Sequence, residues 1–166
     1  MKKTIVAVTT AAALVCGAAA LVAQGTNHVV AGVKDAQWGP APPFIPAGAQ
    51  IAILSGDPGK AVPYAVRLKF PAGYAIAAHS HPTDENVVVT SGSLTFGMGD
   101  KLTKTAWNKM LGVGGYALMP ANMNHFAYTT GAETTIVLYG LGPVEFKYVN
   151  AADDPRNAKK GTDLSR

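Results

Sequence analysis

The sequence predicts an all-β domain, a sandwich or a barrel, and three observations predict it. Short apolar runs rich in β-branched and aromatic residues follow one another from Ile51 to Val149, separated by Gly, Pro, Asp and Asn. Evenly spaced runs with turn signals between them are the mark of antiparallel strands. No window of about 12 or more residues carries a clean helical period, and no repeat recurs at a period of about 20 to 50 residues. Charged residues make up only 14% of the 166 residues, against about 25% in an average soluble domain, which excludes a coiled coil and a charged disordered chain.

The elements follow in chain order. Residues 1–23 read as a secretory signal peptide: Lys2 and Lys3 form a positive start, Ile5 to Ala23 is apolar or small, and Ala18-Ala19-Ala20 offers a small-residue cleavage site. An uncleaved anchor is the rival, disfavoured because Ala and Thr make the stretch weakly hydrophobic. Lipidation at Cys16 is weaker still, since Val15 precedes it. Residues 24–48 are rich in Gly, Pro and Ala and read as an irregular arm that Trp38 and Phe44 pack onto the domain. Residues 49–150 hold the strand-like runs IAIL, AVPYAVRLKF, YAIAAH, ENVVVTSG, SLTFGMG, GYALMP, HFAYTT, TTIVLYG and VEFKYV. The 101–111 stretch reads as a short helix or a loop. Residues 151–166 are charge-rich and read as a solvated polar tail, with a single turn capped by Asp154 as the lesser reading.

Cys16 is the only cysteine. After removal of a leader no thiol is left, which excludes disulfides, a thiolate metal site and a cysteine nucleophile. The net charge of +4 includes Lys2 and Lys3, so the mature balance is small and gives no electrostatic case for a nucleic-acid partner. The predicted location is the periplasm or the exterior, with no membrane contact once the leader is gone.

The histidines carry the chemistry. His79, His81 and His125 lie within the strand-rich zone, and alternate residues of a strand share a face, so His79 and His81 point the same way. Glu85 lies an even step beyond and returns to that face if the Pro82-Thr83-Asp84 turn keeps the phase. Imidazoles and a carboxylate are ligands that divalent Zn, Fe, Mn, Ni and Cu accept. A lone His is more often a hydrogen-bonded core residue; three with a Glu at this spacing point to a metal. His28 lies in the arm without a partner, and Asp57 reads as a turn residue. Tyr74, Phe96, Met98, Phe126 and Tyr128 are candidates for a pocket wall or for the core.

Gly73, His79, His81, Glu85 and Gly92 stand as G-x5-H-x-H-x3-E-x6-G, which resembles the first motif of the cupin family with every position filled. Gly114, Pro120 and His125 stand as G-x5-P-x-N-x2-H and resemble the second motif, with Asn122 in place of a Gly and Tyr128 in place of an Asn. Asn accepts a left-handed backbone nearly as well as Gly, so the turn is expected to form. The resemblance covers roughly 50–149. It implies a double-stranded β-helix, or jelly-roll, barrel with His79, His81, Glu85 and His125 around one divalent ion, Fe, Mn, Ni or Zn, in an open site. Glu85 is by the same resemblance the candidate catalytic base.

A small-molecule metalloenzyme with dioxygenase-like chemistry is the expected function. The alternatives are isomerase, lyase or decarboxylase chemistry, or a non-catalytic metal or ligand binding or sensing module. A small molecule is the expected partner, and dimerisation, common in the family, is a further expectation. Because ligation needs neutral imidazoles, metal affinity is expected to fall as pH drops through about 6.5.

Overall fold

The computed structural model describes residue 29 and residues 31–157. The leader, Cys16, His28 and residues 158–166 lie outside them. No helix among the described residues is long and apolar enough to cross a membrane.

The chain forms β1 (Gly39–Pro40), β2 (Gln50–Ser55), β3 (Pro63–Phe70), β4 (Ala75–Ser80), β5 (Glu85–Ser91) and β6 (Leu94–Met98). It continues through β7 (Lys109–Leu111), β8 (Tyr116–Met119), β9 (His125–Tyr128), β10 (Thr134–Leu141) and β11 (Lys147–Tyr148). These build a six-stranded sheet in the order β1-β2-β3-β10-β5-β8 and a five-stranded sheet in the order β11-β4-β9-β6-β7. Neighbouring strands are antiparallel throughout, which makes the jelly roll that the motif resemblance implies.

Alternation in the sequence decides which side chains meet between the sheets. Tyr64, Val66, Leu68 and Phe70 of β3 are buried, as are Val87 and Val89 of β5 and Ile136 and Leu138 of β10. Opposite them Ile76, Leu94, Phe96 and Ala127 join the same core. The period of two holds along β3 in the burial pattern itself, buried residues alternating with half-buried ones.

Two motif positions show why their residue types are there. A Cβ on Gly92, whose φ is +71°, would stand 2.4 Å from the Glu133 carbonyl oxygen, so only glycine lets the β5–β6 turn pass beneath that backbone. Asn122 has φ 61°, the left-handed conformation expected of it, and its amide donates to the His81 carbonyl at 2.7 Å. The second motif's turn thus ties down the strand end that carries the first motif's second histidine.

Outside the predicted strands the structure adds detail. The arm pairs with the barrel through β1, the Ala41 amide donates to the Ala49 carbonyl at 3.1 Å, and Ile45 is buried. Phe44 packs against Phe146 with ring centres 5.1 Å apart, while the Lys69 ammonium lies 4.4 Å from the Trp38 ring. The 101–111 stretch ends in strand β7 rather than in a helix. Asp57 is a turn residue, its carboxylate accepting from the Gly59 amide at 2.9 Å.

The polar segment after β11 is more structured than a solvated tail as far as residue 157. Two single-turn 3₁₀ helices, Ala151–Asp153 and Pro155–Asn157, are capped by Asn150 and by Asp154, which accepts from the Arg156 amide at 3.0 Å. Arg156 then donates to the Phe146 carbonyl at 3.0 Å. Composition pointed to solvent; local capping hydrogen bonds outweighed it.

Candidate metal centre

Two strand ends, of β4 and β9, bring the three histidines together. His79 near the end of β4 stands directly across from His125, the first residue of β9, as a register pair. His81 follows two residues after His79, and a bulge in β4 between Ile76 and His79 adjusts the aim of that strand end. One ring nitrogen from each of the three lies within 4.8 Å of the others, and all three residues are buried.

Each ring is oriented by a backbone carbonyl. His79 Nδ1 lies 2.7 Å from the Ala77 oxygen, His81 Nδ1 2.8 Å from the Glu145 oxygen and His125 Nδ1 3.0 Å from the Met123 oxygen. A carbonyl only accepts, so each Nδ1 carries the proton and donates, leaving an Nε2 lone pair on the neutral ring. Aromatic packing completes the support: Phe146 stacks on His79 at 4.3 Å and 7°, and presents its edge to His81 at 4.5 Å.

Glu85 reaches the cluster from the other sheet. It is the first residue of β5, buried, with its carboxylate oxygens 3.5 Å from His81 Nε2 and 3.6 Å from His125 Nε2. Even steps from His81 put it on the same strand face only if the 82–84 turn keeps the phase; the chain instead crosses between the sheets there, and Glu85 faces the imidazoles from opposite. The turn is pinned by Asp84, which accepts from the Ala121 amide at 2.8 Å, and by Thr83, which donates to the Leu141 carbonyl at 2.8 Å.

The donor set fits a divalent cation. His81 Nε2 is buried without a hydrogen-bond partner among the described residues. Three Nε2 lone pairs and a carboxylate meet in one place where the Nδ1–H groups are already committed, so a positive charge, proton or metal, is needed among them. Burial, and then the other imidazoles, hold His79 down to about 3 from 6.5, and burial also lowers His81 against the pull of Glu85. Burial pushes the Glu85 carboxyl up, but His125 and the other imidazoles outweigh it and keep it below 4.5. Burial thus disfavours the protonated form of His79 and keeps its ring neutral for ligation.

Two contributors escaped sequence reasoning. Phe146 lay in the run VEFKYV with nothing to mark it. Tyr64 sits in the row Tyr64–Gly140–Glu85 across β3, β10 and β5, and its hydroxyl oxygen comes within 3.5 Å of where a Cβ on Gly140 would stand. The ring thus leans over the glycine toward Glu85. Burial, and then the Glu85 charge, push the Tyr64 hydroxyl well above the ordinary phenol value, so it stays protonated. Of the wall candidates, Phe96 lines the chamber beside His79, Glu85 and His125. Tyr74 stacks on Phe70 at 5.2 Å in the core, and Met98 is exposed. Phe126 and Tyr128 alternate with the inward His125 and Ala127, and Asn108 donates to the Tyr128 hydroxyl at 3.3 Å.

Comparison with known proteins agrees with this architecture. The sequence matches the family model described as the ChrR cupin-like domain over residues 26–145. No protein of curated function matches the sequence significantly. Among solved structures, the chain resembles the polyketide cyclase RemF from Streptomyces resistomycificus at TM-score 0.62 and 15% identity, covering 76% of this chain and 88% of that one. An RmlC-like cupin protein from Ralstonia eutropha JMP134 superposes at TM-score 0.56 and 20% identity, over 74% of this chain and 73% of that chain. The DMSP lyase DddQ from Ruegeria pomeroyi DSS-3 does so at TM-score 0.51 and 21% identity, over 66% of this chain and 57% of that chain. At these identities the structures speak for the fold, while the family match spans most of the chain: it is a cupin, a member of the ChrR cupin-like domain family.

Proposed function

We propose that the protein is an exported metal-dependent enzyme acting on a small organic molecule, with dioxygenase-like chemistry. The observation that carries the reading is the convergence of three imidazoles, each fixed by its own Nδ1–H bond to a carbonyl, two of which bring Nε2 within 3.6 Å of the Glu85 carboxylate. His79, His81, His125 and Glu85 would hold one divalent ion, Fe, Mn, Ni or Zn. When bound, such an ion supplies Lewis acidity and open coordination positions for a substrate oxygen or dioxygen.

The chain's own residues supply the rest. The apolar side chains of Val87, Phe96, Ile136 and Leu138 line the chamber beside His79 and Glu85 and exclude water, which strengthens every electrostatic interaction inside. Glu85 is the carboxylate placed to take a proton from a substrate bound there. Tyr64, kept protonated, is a hydrogen-bond donor for a substrate oxygen on the same side. Export is supported by the apolar stretch 5–23 behind Lys2 and Lys3, and the periplasm or exterior is the proposed location.

A second reading, lyase or isomerase chemistry on the same residues, is favoured by the likeness to a polyketide cyclase and a DMSP lyase. Oxygen uptake by the metal-loaded protein against a panel of phenols and diketones separates the two. Uptake dependent on Glu85 is the expected result. About one equivalent of iron or manganese per chain with no uptake would shift the assignment to non-oxidative chemistry or to a ligand-binding module.

A further inference from the structure

A second cavity lies beside the metal chamber. It has a volume of about 150 Å³ and is walled by Phe44 and Ile45 of the arm, Val66 and Tyr64 of β3, and Val144 before β11. Leu68, Leu138 and Phe146 line both this cavity and the chamber that contains His79, Glu85 and His125. Phe146 is thus the partition: one face stacks on His79 at 4.3 Å, and the ring also borders the cavity. The cavity is open to solvent on one side, where Pro58 and Gly59 form its rim. An apolar space of roughly this volume is large enough for a benzene-sized guest. Among the described residues, Tyr64 is the one lining residue that carries a polar side-chain group.

We infer that this cavity receives the apolar part of the site's substrate, a single aromatic ring or a short branched hydrocarbon chain, whose oxygen-bearing end reaches past Phe146 toward Tyr64, Glu85 and the histidines. The inference rests on the metal-site reading, because it names the substrate class for that site. The arm acquires a role with it: Phe44 and Ile45 shape the pocket.

Benzene is the probe, titrated by NMR into the full chain loaded with Zn²⁺ or with Mn²⁺, metal content being measured on the same samples. Saturable binding is expected, with faster relaxation of the bound benzene protons in the Mn²⁺ form than in the Zn²⁺ form. Val144→Phe, which fills the cavity, should weaken binding by roughly tenfold or more while retaining the metal; Val66→Ile, a smaller fill, serves if the first variant does not fold. Absence of saturable binding to folded, metal-loaded protein overturns the inference and leaves the metal reading standing. Binding without the Mn²⁺ effect overturns the adjacency of guest and metal. Benzene binding to a chain that takes up neither ion refutes the metal reading and detaches the cavity from it.

Discussion

Replacing Phe146 by alanine is the substitution whose cost the structure allows to be worked through. The ring is 6% exposed, stacks on His79 at 4.3 Å, meets His81 edge-on at 4.5 Å and lies 5.1 Å from Phe44. Truncating a buried Phe to Ala costs about 3–5 kcal/mol, transfer and cavity contributions together. Because part of this ring already borders a void, it has fewer contacts to lose there, and the lower end applies, about 3 kcal/mol. For a domain of this size that corresponds to roughly a 12 °C fall in the thermal midpoint. Loss of the stack leaves the Ala77 carbonyl to orient the His79 ring without the Phe146 face against it, so metal affinity should fall by about tenfold, as it does when groups that orient a ligand are removed. Thermal unfolding of the metal-free protein and a competition titration with Zn²⁺ measure the two effects. Phe146→Leu, which keeps most of the volume, should lose less than half as much stability. A Phe146→Ala protein within about 1 kcal/mol of wild type, with unchanged affinity, would refute the packing argument.

Further predictions concern pH, the contact between Gly97 and Phe126, and the second-motif turn. In the folded metal-free chain His79 is held near 3 instead of 6.5. The unfolded chain therefore binds more protons between those values, so stability is lost as pH is lowered through that window. His81 is shifted in the same direction, and Glu85, whose folded value is lowered, adds stability above about 4.5 that is lost as pH falls; a urea midpoint that is flat from pH 7 to pH 4 would contradict this. Gly97→Ala places a Cβ 2.1 Å from Phe126 Cζ, so the buried ring next to His125 must move, at about 1–3 kcal/mol, read by denaturant unfolding and by altered metal affinity. Asn122→Ala at φ 61° should cost about 1 kcal/mol and Asn122→Gly close to nothing, both measured by thermal unfolding.

The barrel was legible because its strands alternate: Tyr64, Val66, Leu68 and Phe70 repeat with period two, and Gly92 and Asn122 mark turns that need a positive φ. The histidine pairing was legible for the same reason, the i, i+2 spacing of His79 at the end of β4 and His81 just past it. The origin of Glu85 in the opposite sheet was not, since periodicity says nothing about where a turn sends the next strand. Phe146 and Tyr64 were invisible as site residues because their roles arise from register, Tyr64 across Gly140 from Glu85, and from tertiary stacking on His79. β1 and β7, two and three residues long, escaped because pairing with a neighbour rather than their own sequence makes them strands. The polar segment 151–157 misled by composition, its order coming from Asn150, Asp154 and Arg156 acting as caps and clasp.

Metal content of protein purified under native conditions, compared between the wild-type chain and a His79→Ala/His125→Ala double variant that still gives a folded β spectrum, tests the central claim. Three carbonyl-fixed imidazoles facing one carboxylate predict about one equivalent of a divalent metal in the wild type and none in the variant. A double variant that keeps a full equivalent would place the ion elsewhere and leave the histidine cluster without the role assigned to it.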